Sequence, residues 1–492
     1  MFEKITEKLS NLFYSGVAFG MNDKKFLEHE ISAWKYSPER LMQIKGHLYF
    51  EGEHDILNRK RTVIGEGGEL TEVENLPNNK IVDNQYGKLV LQKANYILGQ
   101  PFVVEGDNKQ YIELLKEIFD KRFMRLMKNA GKAALNGGLA WLYPYFDDEG
   151  KLRFRMFPAY EVLPFWKDSE HTVLDCAVRV YLVQGYEGTT PVLIEKVEVY
   201  GLDGVHRYVL ENGSLIPDSS VDEAADMPYV IASGKEEEKA FNWDKIPLIA
   251  IKCNENETSL LKRVKTLQDG INVMISDFEN NLQEDARNTI LVLKNYDGTN
   301  LGEFRQNLAV YGAVKVRCDG DANGGVETLE IKVNAENYKA ILELLKKAVI
   351  ENGMGFDAKD DRLSGNPNQM NIQSMYSDIE LDANDMETEL QAAFEDILWF
   401  VNAYLGSIGK GDFDGEQVNI IFNRDMLMNE TEAIANCQAS IGILSDETIV
   451  GQHPWVDDPQ KEIERLKEQE EVERQRGYNP FKQKDKGDVN EK

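Results

Sequence analysis

The chain has 492 residues, of which 42% are hydrophobic and 10% aromatic, and a formal net charge of −29. Such a length supports more than one hydrophobic core, while no run reaches the ~18–20 apolar residues of a membrane helix. The acidity excludes a conventional basic nucleic-acid binder, which gains affinity by neutralising phosphates and releasing counterions.

Residues 1–45 read as helical and partly polar up to Ser37-Pro38, where the proline restricts its neighbour to extended geometry. The opening residues lack the apolar core and cleavage site of a secretory signal, so a cytosolic protein is expected. Cys176, Cys253, Cys318 and Cys437 lie far apart and form no CxxC pair, which reads as free thiols. Residues 81–98 carry apolar side chains at helical spacing and stop at Gly99-Gln100-Pro101. A second helical stretch covers 111–134. After Gly137-Gly138, the segments 139–146, 152–157, 173–183, 194–200 and 206–210 alternate as strands of an α+β domain. The polar run 217–238 reads as a surface loop.

The second half changes character. From 260 to 286, apolar residues including Leu267, Ile271, Phe278 and Leu282 recur every three or four positions, the mark of an amphipathic helix about 40 Å long. A strand at 290–294, a short helix at 301–309 and a hairpin pairing 314–318 with 326–333 are expected next. Residues 335–351 are helical, 353–371 form a Gly- and Asn-rich stretch, and 372–405 form a helix on the order of 50 Å long. A strand at 418–422, three helices within 430–475 and a charged, disordered tail at 476–492 complete the chain. Pro459 at a first helical position, with Asp458 as cap, opens the last helix.

Catalytic signatures are missing. There is no GxxxxGK[ST] phosphate loop, His29-Glu30 lacks the second histidine of HExxH, Gly65-Glu66-Gly67-Gly68 is not GxGxxG, and no GxSxG occurs. No enzyme is expected. One motif matches in full: Asp319, Asp321, Asn323, Gly324 and Glu330 fit the calcium-loop template D-x-[DN]-x-[DN]-G-x5-E. Its flanks alternate like strands, whereas a calcium loop of this kind needs helices. Two readings stand: a calcium site, or, favoured by the flanks, a hairpin turn built from residues that tolerate left-handed geometry.

The order of these elements resembles the portal proteins of tailed phages infecting Gram-positive bacteria. The resemblance is carried by the long helix ending in Asn281-Leu282-Gln283-Glu284-Asp285-Ala286-Arg287-Asn288, then Ile290-Leu291-Val292-Leu293-Lys294, then Val314-Lys315-Val316 and Gly324-Gly325-Val326-Glu327. Asn79-Lys80-Ile81-Val82-Asp83, Ala94-Asn95-Tyr96-Ile97-Leu98-Gly99-Gln100-Pro101, Leu444-Ser445-Asp446-Glu447-Thr448 and Val456-Asp457-Asp458-Pro459 add to it. It covers about residues 30–475.

The resemblance implies an α+β portal fold. After the N-terminal helical segment (1–45) come a mixed α/β wing (46–256), a stem helix (257–288), a small α/β clip (289–333), a second stem helix (334–352) and a tunnel loop (353–371). A long helix and strand (372–427) return to the wing, followed by a helical crown (428–475). It further implies a homo-oligomeric ring, typically of twelve subunits, at one capsid vertex of the virion, assembled in the bacterial cytoplasm. Double-stranded DNA would pass through it. Terminase, a head–tail adaptor, and the major capsid and scaffolding proteins would be its partners. Lys346, Lys347, Lys359, Arg362, Asn366 and Asn368 are the channel candidates, with Lys262, Arg263 and Lys265 as a second cationic group. Asp357, Asp360 and Asp361 offset the charge of the loop. Leu267, Ile271, Phe278 and Leu282 are the stem-packing candidates, and Phe278→Asp or Leu282→Asp is expected to abolish assembly. The rivals are another phage structural component (capsid or baseplate), a carboxylate-and-magnesium nuclease, and a calcium-regulated binding module.

Overall fold

The computed structural model of this protein describes residues 24–64, 69–72, 76–218, 226–233, 238–285, 290–294, 318–319, 322–323, 325–329, 335–359, 368–424, 430–456 and 459–475. The expected helix at 301–309 and the tail at 476–492 lie outside them. The fold is mixed α and β, and the chain divides into two compact units, residues 1–355 with 382–424 and residues 356–381 with 425–492.

The larger unit opens with α1 (Lys24–Lys35) and α2 (Pro38–Phe50). Pro38 begins a helix here and does not close one. The Ser37 hydroxyl accepts from the Arg40 amide at 3.2 Å, and proline at the first helical position loses no hydrogen bond. The expected helix at 81–98 is shorter, α3 (Gln85–Leu98), because Asn84 caps it by accepting from the Gly87 amide at 2.6 Å. The single stretch at 111–134 is two helices, α4 (Lys109–Ile118) and α5 (Lys121–Gly137). Asp120 separates them, its carboxylate accepting from the amides of Arg122 and Phe123.

The five expected strands are present among β1 (Leu139–Phe146), β2 (Leu152–Pro158), β3 (Val162–Trp166), β4 (Leu174–Glu187), β5 (Thr190–Gly201), β6 (Gly204–Glu211), β7 (Ser214–Pro217) and β8 (Ile249–Lys252), with β3, β7 and β8 in addition to those expected. They form two sheets, ordered β8-β1-β2 and β7-β6-β5-β4-β3. One face of the larger sheet carries Val178, Val180, Val197 and Val199 and packs on Leu27 and Ile31 of α1. The region expected to be a polar loop at 217–238 contains strands Asp226–Met227 and Val230–Ser233, the latter paired with Glu238–Phe241.

Two long helices follow, α6 (Leu260–Asp285) and α7 (Ala335–Asn352). Between them, β9 (Ile290–Lys294) pairs antiparallel with β10 (Gly325–Leu329), Val326 standing opposite Leu293. The hairpin expected between 314–318 and 326–333 is therefore not the pairing that 326–329 adopt. Residues 318–319 pair instead with 322–323, Cys318 opposite Asn323. Then comes α8 (Gln369–Ser407), 39 residues long.

The central core joins α3, α5, β1, β8, α6 and the 382–407 part of α8 through side chains such as Val90, Met127, Leu142, Ile251, Val264 and Ile397, all below one-tenth exposure. Phe102, Phe119, Phe123, Phe394 and Phe422 interlock with ring centroids 4.7–6.3 Å apart. Each such pair adds about 1 kcal/mol beyond the area it buries. This fixes α8 against α5 and against the strand pair Val103–Glu105 with Asn419–Ile421.

The smaller unit contains α9 (Glu430–Ala439), α10 (Asp446–Gly451) and α11 (Pro459–Gln475), the three helices expected within 430–475. Phe356 stacks on Tyr376 with centroids 4.2 Å apart. Among the described residues, no helix is long and apolar enough to cross a membrane.

Candidate functional site

The two helices α6 and α7 pack on each other and set the geometry of the region singled out by the sequence. Phe278 of α6 meets Tyr338 of α7 with centroids 5.0 Å apart, and Asn281 donates to the Tyr338 hydroxyl at 3.0 Å. Leu267 packs against the core and Ile271 is fully buried. Leu282 remains half exposed, and Val273 of α6 with Ile341 and Leu344 of α7 are also exposed, Leu344 at 66%. So the four stem-packing candidates divide: three pack within the chain, and Leu282 is left half exposed among the described residues.

A second face of α6 is polar and buried. Gln268, Asn272, Ser276 and Asn280, spaced by four, are each exposed by 1% or less. Four helical residues rise about 6 Å, and two extended residues about 6.6 Å, so such a row matches alternate amides of an extended strand. The partner segment is 79–86. The amides of Asn79, Ile81, Asp83 and Tyr86 donate to Asn280, Ser276, Asn272 and Gln268 at 2.8, 3.0, 3.0 and 2.9 Å. Gln268 also donates to the Asp83 carbonyl at 2.8 Å. This explains why the apolar Ile81 does not start a helix: its amide is engaged by α6. Asn272 donates to Nδ1 of His54 at 2.7 Å while His54 Nε2 lies 3.0 Å from the Tyr49 carbonyl. Nδ1 must accept, so Nε2 carries the proton and the ring is neutral. Burial lowers the His54 pKa, against the smaller opposing effect of the Tyr49 carbonyl. The sequence reading missed this row. Its legible trace was four amide or hydroxyl residues at a strict spacing of four beside an apolar stripe.

The start of the 353–371 segment is fixed by an ionic knot. Lys93 of α3, with its side chain 3% exposed, donates to Asp382 at 2.6 Å and to the Met354 carbonyl at 2.9 Å. Arg263 of α6 binds the other oxygen of Asp382 at 2.8 Å. Burial lowers the Lys93 pKa although Asp382 opposes the shift. Gly353 and Gly355 sit so close to Leu89 that an added Cβ would come within 2.2 and 2.4 Å of its methyls. A side chain at either position would force Leu89, itself buried, to move.

The cationic candidates fall into different settings. Lys346 pairs with Asp83 at 2.6 Å, and Lys347 is exposed with Glu351 at 3.8 Å. Lys359 is exposed and its amide donates to Asp357. Asn368 opens α8, its side chain accepting from the Asn371 amide at 2.8 Å. Arg362 and Asn366 lie outside the described residues. Lys262 is exposed, whereas Lys265 is held by Asp55 and Asp269 at 2.8 and 2.6 Å. Of the calcium candidates, Asp321 and Glu330 lie outside the described residues. Asp319 and Asn323 stand in the short ladder with Ala322 and Cys318, followed by strand β10.

Comparison with known proteins places this arrangement. The chain is 29% identical over 438 residues to the portal protein of Bacillus phage SPP1, covering 88% of this chain and 84% of that one. It is 26% identical over 459 residues to the portal protein of Clostridium phage phiCD119, covering 89% and 93% respectively. Residues 34–476 match the family described as phage portal protein, SPP1 Gp6-like. On that match, which spans nearly the whole chain, this protein belongs to the SPP1 Gp6-like family of phage portal proteins.

Proposed function

We propose that copies of this chain form a ring at one vertex of a phage capsid, through which double-stranded DNA is packaged and ejected. The match of residues 34–476 to one portal family carries this reading. In it, residues 46–256 serve as the wing, 257–288 and 334–352 as the stem, 289–333 as the clip that docks terminase and later a head–tail adaptor, 353–371 as the tunnel loop, 372–427 as the return to the wing and 428–475 as the crown. The ring, typically of twelve copies, is a virion component that contacts major capsid and scaffolding proteins during assembly in the bacterial cytoplasm.

The physical chemistry suits a conduit. A net charge of −29 per copy repels a polyanion from most of the surface, and every firmly held phosphate would add salt-sensitive affinity and friction. Lys347 and Lys359, with Arg362, Asn366 and Asn368, then guide the duplex. Lys346 contributes less, because Asp83 neutralises it. The chain hydrolyses no nucleotide in this reading, and the work of translocation comes from a separate motor. The exposed apolar side chains Val273 and Leu282 of α6, on opposite sides of that helix, and Ile341 and Leu344 of α7 are the ones that neighbouring stems cover.

Electron microscopy of the purified chain tests the proposal. Rings with a central hole wide enough for a duplex are expected, and Leu282→Asp should leave single folded chains. Phe278→Asp is the poorer probe, because Phe278 packs on Tyr338 inside the chain. Wild-type protein that stays monomeric or forms sheets would sink the ring.

A further inference from the structure

The larger sheet has a second face, turned away from α1, and its chemistry is unlike that of the first. Arg179 of β4, Glu198 of β5 and Arg207 of β6 stand directly opposite one another across three strands. Together with Tyr143 of β1 and Arg155 of β2 they line a cavity of about 250 Å³. At roughly 30 Å³ per water, that volume holds a small oxyanion with part of its hydration shell.

Donors outnumber acceptors around this cavity. Each guanidinium carries five N–H donors and no acceptor. Arg179 is well supplied: it binds Glu161 at 2.9 and 3.0 Å and Glu198 at 3.4 Å, and it lies 3.7 Å over the Phe157 ring. Glu198 is shared further, accepting from the Tyr200 hydroxyl at 2.8 Å and the Tyr181 hydroxyl at 3.3 Å. Little of it is left for Arg207, whose Nε is 3.7 Å away. Arg207 also meets the thioether of Met227 at 2.7 Å, a weak acceptor. Arg155 lies 4.8 Å over the Tyr145 ring and meets no carboxylate among the described residues. Among the described residues, two guanidiniums at one cavity thus lack the bidentate oxygen partner that their planar geometry fits best.

We propose that this wing cleft binds one oxyanion, a phosphate or carboxylate group, held by Arg155 and Arg207. The site is separate from the stem and the 353–371 segment and adds a function to the wing that the channel reading does not require. On a chain of net charge −29, anions are repelled on average, so saturable anion uptake has to come from a local, donor-rich site.

Calorimetric titration of the full chain, in a low-salt chloride buffer, with inorganic phosphate and separately with glutarate is the test. One saturable site per chain is expected for at least one of the two anions. Tighter phosphate binding assigns a free phosphate, and tighter glutarate binding assigns the carboxylate of a protein partner. Arg155→Gln changes only an exposed side chain, and Arg207→Lys keeps the charge while losing the fork. Each should weaken binding about tenfold, the loss of roughly one charge-assisted hydrogen bond, and Lys347→Gln, away from the cleft, should not. Absence of saturable uptake of either anion, or uptake unchanged in both arginine variants, overturns the proposal.

Discussion

On the helix pair α6–α7, the usual distribution of side chains is inverted at several positions. Gln268, Asn272, Ser276 and Asn280 are buried to 1% exposure or less, while Val273, Leu282, Ile341 and Leu344 stand 38–66% exposed. Buried polar groups and exposed apolar rows are the informative exceptions to the rule of hydrophobic interiors. The buried row has its explanation inside the chain, because each member answers a backbone amide of 79–86 that would otherwise have no partner. Among the described residues, nothing covers these exposed apolar side chains. The polar face of α6 is finished by folding, whereas Val273 and Leu282, on opposite sides of the same helix, are among the side chains that the proposed ring would cover.

The hardest blow to the finished face is at its first turn. Asp382→Ala removes the carboxylate shared by Lys93 and Arg263 and leaves a buried ammonium uncompensated. A loss of about 3–5 kcal/mol is expected, read from the shift in the urea midpoint. Next in size is a pair of neighbours. Asn272→Leu makes α6 more apolar yet strands the Asp83 amide and a Gln268 N–H without an acceptor, and His54 without a donor. It should cost about 2–4 kcal/mol. Val273→Asn, one residue on, makes α6 more polar and should change stability by less than about 0.5 kcal/mol. Equal effects from the two substitutions would erase the distinction between the faces.

A smaller effect comes with acid. Burial holds the folded-state pKa of His54 below the ordinary value of 6.5. The unfolded chain therefore takes up the proton first as pH falls. Stability from this group is complete above about pH 6.5 and declines below it, since a protonated Nδ1 can no longer accept from Asn272. Urea midpoints at about pH 7.5 and about pH 5 should differ in the wild type and differ less in His54→Gln, which does not titrate.

How far the sequence disclosed all this follows from which signals are local. Periodicity found α6, α7, α8 and the strands 139–146 and 152–157, since spacing and burial coincide there. It ran through Asp120, because Ile118, Phe119 and Phe123 keep the apolar rhythm on both sides of a cap. It overran into 81–84 because the bond that keeps Ile81 out of the helix comes from Ser276, 195 residues away. The partner of 326–329 was missed for the same reason: β9 competes with a nearer segment, and pairing choice is not written in either strand. The channel candidates were chosen by charge alone, and charge does not reveal that Lys346 faces Asp83. The stem candidates were chosen by periodicity, which finds a stripe but not which end of it the chain itself covers.

The smallest expected effect on the single chain is also the one that decides what the exposed side chains are for. Leu344 is 66% exposed on α7, so Leu344→Gln gives up little burial, and glutamine and leucine differ little in helix propensity. The isolated chain should unfold within about 0.5 kcal/mol of the wild type. If these side chains form the contact between neighbouring stems, however, the same change places a polar amide in an apolar interface once per subunit around a closed ring, and the penalty repeats at every joint. Sedimentation should then show the assembled species giving way to single chains at concentrations where the wild type remains assembled. A variant that unfolds easily would return Leu344 to the chain's own core. A stable variant that still assembles normally would mean that the stems meet through another face.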